Sequence, residues 1–135
     1  MSLSAHHLAC RFWLLIVIFL GVTGNYGNAK AETDITGAYS SASGKQIVLE
    51  LNISSRSPVN LIVEQFIDPK NFILTTSPRA KKRSSGKIKW LFRNISNDSL
   101  TISIRLRSAL QGNISAIVRY RNPEDGQLIE TQITP

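Results

Sequence analysis

The chain has 135 residues, with 16 Lys and Arg against nine Asp and Glu for a net charge of +7, one cysteine and two histidines. That length holds one domain, and the basic balance favours anionic partners and solubility without bearing on the fold. His6, His7 and Cys10 all fall within the first ten residues. Everything beyond them therefore lacks imidazole and thiol, which excludes a Ser-His or Cys-His pair, a disulfide and a His/Cys metal site there. No cofactor is expected.

A short leader with Arg11 precedes an unbroken apolar run of eleven residues, Phe12 to Val22. At ~1.5 Å per residue this is too short for the ~30 Å hydrocarbon core of a bilayer, but it fits the apolar region of a signal peptide. Gly24 and Gly27 follow, and then Ala29-Lys30-Ala31, a cleavage site of the A-x-A kind. Leu8-Ala9-Cys10 stands before the apolar run instead of after it, which argues against lipidation. Cleavage is expected after Ala31, leaving residues 32–135 with 14 bases against nine acids, a net charge of +5. The expected location is the periplasm or the extracellular space, with membrane contact through the signal segment alone.

Residues 32–44 are small and polar and read as a flexible linker, or as a weak edge strand over Ile35–Tyr39. Lys45–Ile53 is the first firm strand, with Ile47, Leu49, Leu51 and Ile53 on one face. Val59–Phe66 follows Pro58, with Val59, Leu61 and Val63 opposite Ile62, Glu64 and Phe66. Asp68-Pro69-Lys70-Asn71 is a turn in which Asn71 would tolerate an unusual backbone, and Phe72–Thr76 is a short strand ended by Ser77-Pro78. Arg79–Gly86 lacks apolar periodicity and reads as a basic loop. In Ile88–Arg93, Ile88, Trp90 and Phe92 alternate with Lys89 and Arg93, so Trp90 belongs to the core. Leu100–Arg107 alternates most cleanly of all, as a strand with one buried and one solvated face does. Ile114–Arg121 and Gln127–Ile133 flank the turn Asn122–Gly126. Seven strands and one weak one at intervals of ~8–15 residues, without a helix, predict an antiparallel β-sandwich of about 7–8 strands covering residues 45–135.

The motif order from Pro58 onward resembles the Ig-like conserved-repeat domain of unknown function found in bacterial and archaeal surface proteins. The residues that carry the likeness are Val63-Glu64-Gln65-Phe66, Asp68-Pro69, Phe72 through Ser77-Pro78, and Gly86-Lys87-Ile88-Lys89-Trp90. Asn71 stands where that family places a glycine, and no second repeat occurs in this sequence. The resemblance implies an Ig-like, fibronectin III-like sandwich and supplies no catalytic residues.

Arg79, Lys81, Lys82, Arg83, Lys87, Lys89 and Arg93 gather seven positive charges without an acid among them. Such a cluster is either a solvated loop or a contact for an anionic lipid, an acidic glycan or an envelope protein; sequence-specific nucleic-acid reading is not expected. Arg105, Arg107, Arg119 and Arg121 would form a second basic surface if their strands were neighbours. Catalysis would have to draw on Glu50, Glu64, Asp68 and Glu130, and nothing in the spacing holds two of them at a defined separation. The expectation is a non-catalytic binding or assembly module of the envelope. The alternatives are a subunit that assembles by strand addition through residues 32–44 and, last, a small carboxylate hydrolase.

Overall fold

The computed structural model describes residues 32–135, so the expected signal peptide and its cleavage site lie outside the described residues. Nine strands and no helix make up the described chain: β1 Asp34–Ser43, β2 Gln46–Ser54, β3 Val59–Phe66, β4 Ile73–Ser77, β5 Lys82–Ser84, β6 Lys87–Ile95, β7 Ser99–Leu106, β8 Ser115–Arg121 and β9 Leu128–Ile133. They form two sheets with orders β1-β2-β7-β4 and β5-β6-β3-β8-β9, in which every neighbouring pair is antiparallel. This all-β arrangement is consistent with a β-sandwich. The chain changes sheet after β2, β3, β4, β6 and β7.

Alternation along the strands explains the core. Ile47, Leu49 and Leu51 of β2 stand opposite Ile104, Ile102 and Leu100 of β7 in the first sheet. In the second, Leu61 and Val63 of β3 lie between Phe92 and Trp90 of β6 and Tyr120 and Val118 of β8. All of these are buried except Leu100 and Phe92, which are partly so. Because side chains alternate across a strand, the same registers push the polar residues outward.

Among the strands, one inward polar residue is fully buried. Gln65, 1% exposed, accepts a hydrogen bond from the Tyr39 hydroxyl at 2.8 Å and donates through Nε2 to the carbonyls of Phe66 and Ser115, both at 3.0 Å. Its amide is thereby satisfied, as a buried polar group must be. The contact also ties β1 of one sheet to β3 of the other. Burial raises the Tyr39 pKa to about 12, against the smaller lowering effect of its bond to Gln65.

Four sequence expectations need correction. Of the two readings of residues 32–44 the edge strand holds and the linker does not, and the strand is longer than Ile35–Tyr39: β1 is a ten-residue edge strand joined to β2 through a turn at Gly44, whose φ is 60°. The Arg79–Gly86 segment is not all loop, since Lys82–Ser84 forms β5 and makes a hairpin with β6. Lys82-Arg83-Ser84 has no apolar residue, so periodicity was blind to it. The strand total is nine. Asn71 does not adopt a left-handed backbone. Instead it is buried, its Nδ2 donating to the carbonyls of Asp68 (3.0 Å) and Gln111 (2.8 Å) while its Oδ1 accepts from the Gln111 amide (2.9 Å). A glycine could not make that clamp between two loops.

Candidate functional site

The β5–β6 hairpin organises the basic residues. Its turn passes through Gly86 at a φ of 76°, and a Cβ there would meet the Ile67 carbonyl oxygen at 3.2 Å. That close approach is used by the Ile67 amide, which donates to the Gly86 carbonyl at 3.0 Å. On the inward side Trp90, 1% exposed, donates through Nε1 to the Pro78 carbonyl at 2.9 Å and so anchors the segment leading into the hairpin. Trp90 is a core residue and presents no stacking surface.

Across the outward face, Lys82 of β5 stands beside Lys89 of β6, which stands opposite Glu64 of the central strand β3. One step along, Ser84 neighbours Lys87, which is opposite Phe66. Glu64 sits beneath these groups: its side chain is 6% exposed, while those of Lys87 and Lys89 are 42% and 41% exposed. Its Oε1 lies 3.0 Å from Lys87 Nζ and 3.6 Å from Lys89 Nζ. From β8, Arg119 places Nη1 2.6 Å from Glu64 Oε2 and Nε 2.6 Å from Glu130 Oε2. Lys87 Nζ also lies 5.5 Å from the centroid of the Phe66 ring, within cation–π range. The hydrogen bonds from Lys87 and then Arg119 hold the Glu64 carboxyl at about 2, outweighing the burial that would raise it. Its two carboxylate neighbours hold the Arg119 guanidinium above its ordinary value, the bond to Glu130 first.

Glu64, Lys82, Ser84, Lys87 and Lys89 line a cleft of about 190 Å³. Three of the seven expected residues, Lys82, Lys87 and Lys89, are thus brought together. The others are not. Arg79 and Lys81 are exposed in the preceding segment, although the Lys81 amide donates to the Lys89 carbonyl at 2.8 Å. Arg83 occupies the opposite side of β5 from Lys82, its Nη2 3.3 Å from Thr76 Oγ1. Arg93 is exposed farther along β6. The second basic surface does not form as one: Arg105 is on β7 of the first sheet, and Arg119 and Arg121 are on β8 of the second. Arg107 lies over the Phe72 ring at 4.0 Å.

Sequence reasoning missed the acid at the floor of the cluster, since Glu64 is 15 or more residues from every cation in the stretch 79–93. The one available signal was a carboxylate between Ile62 and Phe66 on one face of a largely apolar strand. A larger cleft of about 580 Å³ lies around Ala42, Leu110, Asn113 and Ile114 and has no ionisable side chain in its wall. No protein-family model, no curated protein and no solved structure matches this chain.

Proposed function

We propose that the chain is an exported, non-catalytic Ig-like module of the cell envelope that holds anionic partners, an acidic glycan, an anionic lipid or an acidic protein surface, on its β5–β6 face. The observation that carries this reading is the convergence of Lys82, Lys87 and Lys89 with Ser84 in one cleft. Glu64 draws two of those ammonium groups to a single carboxylate oxygen and offsets one charge, so the three lysines retain a net charge of +2 over their acid. Two long side chains are thereby restrained before any partner arrives, which lowers the entropic cost of binding. An Ig-like assignment is supported by the order of strands: β1, β2 and β7 occupy the places of A, B and E, and β3, β8 and β9 those of C, F and G, with β4 beside β7 as D lies beside E. The departure is that β4 precedes the β5–β6 hairpin in the chain. Glu64 itself is unfit to be a general acid, because a carboxyl held at about 2 has no proton to give near neutrality.

The test compares two triple variants on anionic vesicles and on a sulfated polysaccharide over a range of salt. Lys82→Ser/Lys87→Ser/Lys89→Ser is expected to lose binding and flatten its salt dependence, whereas Arg79→Ser/Lys81→Ser/Arg83→Ser keeps most of both. Equal losses in the two variants would reduce the site to diffuse surface charge. Absence of binding by the parent at low salt would remove the proposal.

A further inference from the structure

Each sheet has two edges, and the chain treats them differently. In the second sheet β5 is three residues long and carries Lys82 and Arg83, while β9 has six residues with Glu130 within it. In the first sheet β4 has five residues, a register irregularity between Ile73 and Thr75, and Pro78 directly after it. Shortness, charge, proline and irregular register are the usual protections of a sheet edge. β1 has fewer of them. It runs for ten residues, Asp-Ile-Thr-Gly-Ala-Tyr-Ser-Ser-Ala-Ser, with neither Lys, Arg nor Pro and with its single acid at the first position. Its register with β2 is unbroken from Asp34 to Tyr39, and the irregularity comes after that.

We infer that the Asp34–Tyr39 edge pairs antiparallel with the same edge of a second copy, so that two four-stranded sheets join into one of eight strands. Three features of the strand favour a second copy. First, its outward side chains are Asp34, Thr36 and Ala38, neighboured on β2 by Ser54, Asn52 and Glu50, so two edges meet without bulk, and antiparallel pairing about Gly37 keeps the two Asp34 carboxylates at opposite ends. Second, Ile35 and Tyr39 face the core, and pairing that keeps core faces on one side must be centred on a residue. Centring on Gly37 sets Ile35 beside Tyr39 of the other copy and Thr36 beside its Ala38. Gly37 has no side chain for a core reason: a Cβ would come 2.4 Å from Ile133 Cδ1 and 2.6 Å from Leu51 Cδ2. Third, the charge distribution allows it. β1 packs beside β9, and β5 with Lys82 and Arg83 is at the other end of that sheet, so the basic faces of the two copies point apart. A two-fold pair of this kind is closed and self-complementary.

The experiment is sedimentation velocity on the chain recovered from expression of the full sequence, its N-terminus defined by mass spectrometry. The range is roughly 1 µM to 1 mM, where a small edge contact would associate. The parent is expected to show a monomer–dimer equilibrium. Thr36→Lys/Ala38→Lys opposes lysine to lysine twice across the Gly37-centred pair and should weaken association by about tenfold or more. Thr36→Glu/Ala38→Lys puts glutamate opposite lysine twice and should associate at least as well as the parent. Both variants place the new lysine at position 38 opposite Glu50 within the chain and differ at position 36 alone, so a shared folding defect cannot produce the contrast. A parent that stays monomeric over the whole range, or two variants that associate equally, overturns the inference.

Discussion

Arg119 Nη1 lies 2.6 Å from Glu64 Oε2 while the same guanidinium's Nε lies 2.6 Å from Glu130 Oε2, so one side chain on β8 ties the central strand of the second sheet to its edge strand β9. Lys87 and Lys89 approach Glu64 from the other flank, on β6. A carboxylate on an outward sheet position is therefore shielded from water by cations on both neighbouring strands. Its protonation is linked to folding as a result.

Glu64 is held at about 2 in the fold, against ~4.3 in an unfolded chain. Between those values the folded state binds fewer protons than the unfolded one. The stability it contributes is complete above the unfolded value and is lost as pH falls through about 2. Since the covering cations are partly exposed, the contribution at neutral pH is about 1–2 kcal/mol. Urea unfolding over this acid interval should show a steep loss in the parent and a shallower one in Glu64→Gln. Parallel curves would mean that the cluster does not hold in solution.

Tyr39 makes the opposite prediction. Its pKa is pushed up to about 12 from ~10 in the unfolded chain, so its contribution is complete below the lower value and disappears as pH rises to the higher one. Tyr39→Phe removes that alkaline loss but leaves Gln65 Oε1 without its partner, which costs about 1–3 kcal/mol near neutrality. Thermal melts of the two proteins from neutral to strongly alkaline pH should converge, and melts that stay equally far apart would contradict the assignment.

Trp90→Ala should destabilise by ~3–5 kcal/mol, enough to unfold a domain of this size and thiol-free composition under mild conditions. Trp90→Phe keeps the ring but not the hydrogen bond to the Pro78 carbonyl, and should lose ~1–2 kcal/mol. Chemical denaturation measures both, and near-parental stability of the alanine variant would exclude the core placement.

Asn71→Gly would introduce a glycine, the residue found at the matching position of the family that the sequence resembles, and the structure implies harm. Three hydrogen bonds to Asp68 and Gln111 disappear, for a loss of about 1–3 kcal/mol. Hydrogen exchange at the Gln111 amide should accelerate in the variant. Unchanged protection there would show that the clamp is dispensable.

Most strands were legible because their alternation is strict. Ile102, Ile104 and Leu106, like Val118 and Tyr120 on β8, lie buried where the period of two places them. What escaped had no such signature. β5 is Lys-Arg-Ser, held by pairing with β6 and not by burial. β1 was legible only as the weak strand Ile35–Tyr39; its other residues are small or polar, and it becomes a full strand because β2 gives its backbone a partner along its length.

The sequence by itself determined which residues of β2, β3, β6, β7 and β8 face inward and that Trp90 is structural, because these follow from local periodicity and from the free energy of burying large apolar groups. It also determined that no histidine or cysteine lies beyond residue 10. Tertiary structure alone decided which basic residues meet. Strand order places β3 between β6 and β8, and so sets Glu64 between two lysines and an arginine far away in the chain, while Arg105 and Arg119 end on different sheets. Charge interactions act over a few ångströms of space, and nothing in a one-dimensional order of residues records that distance.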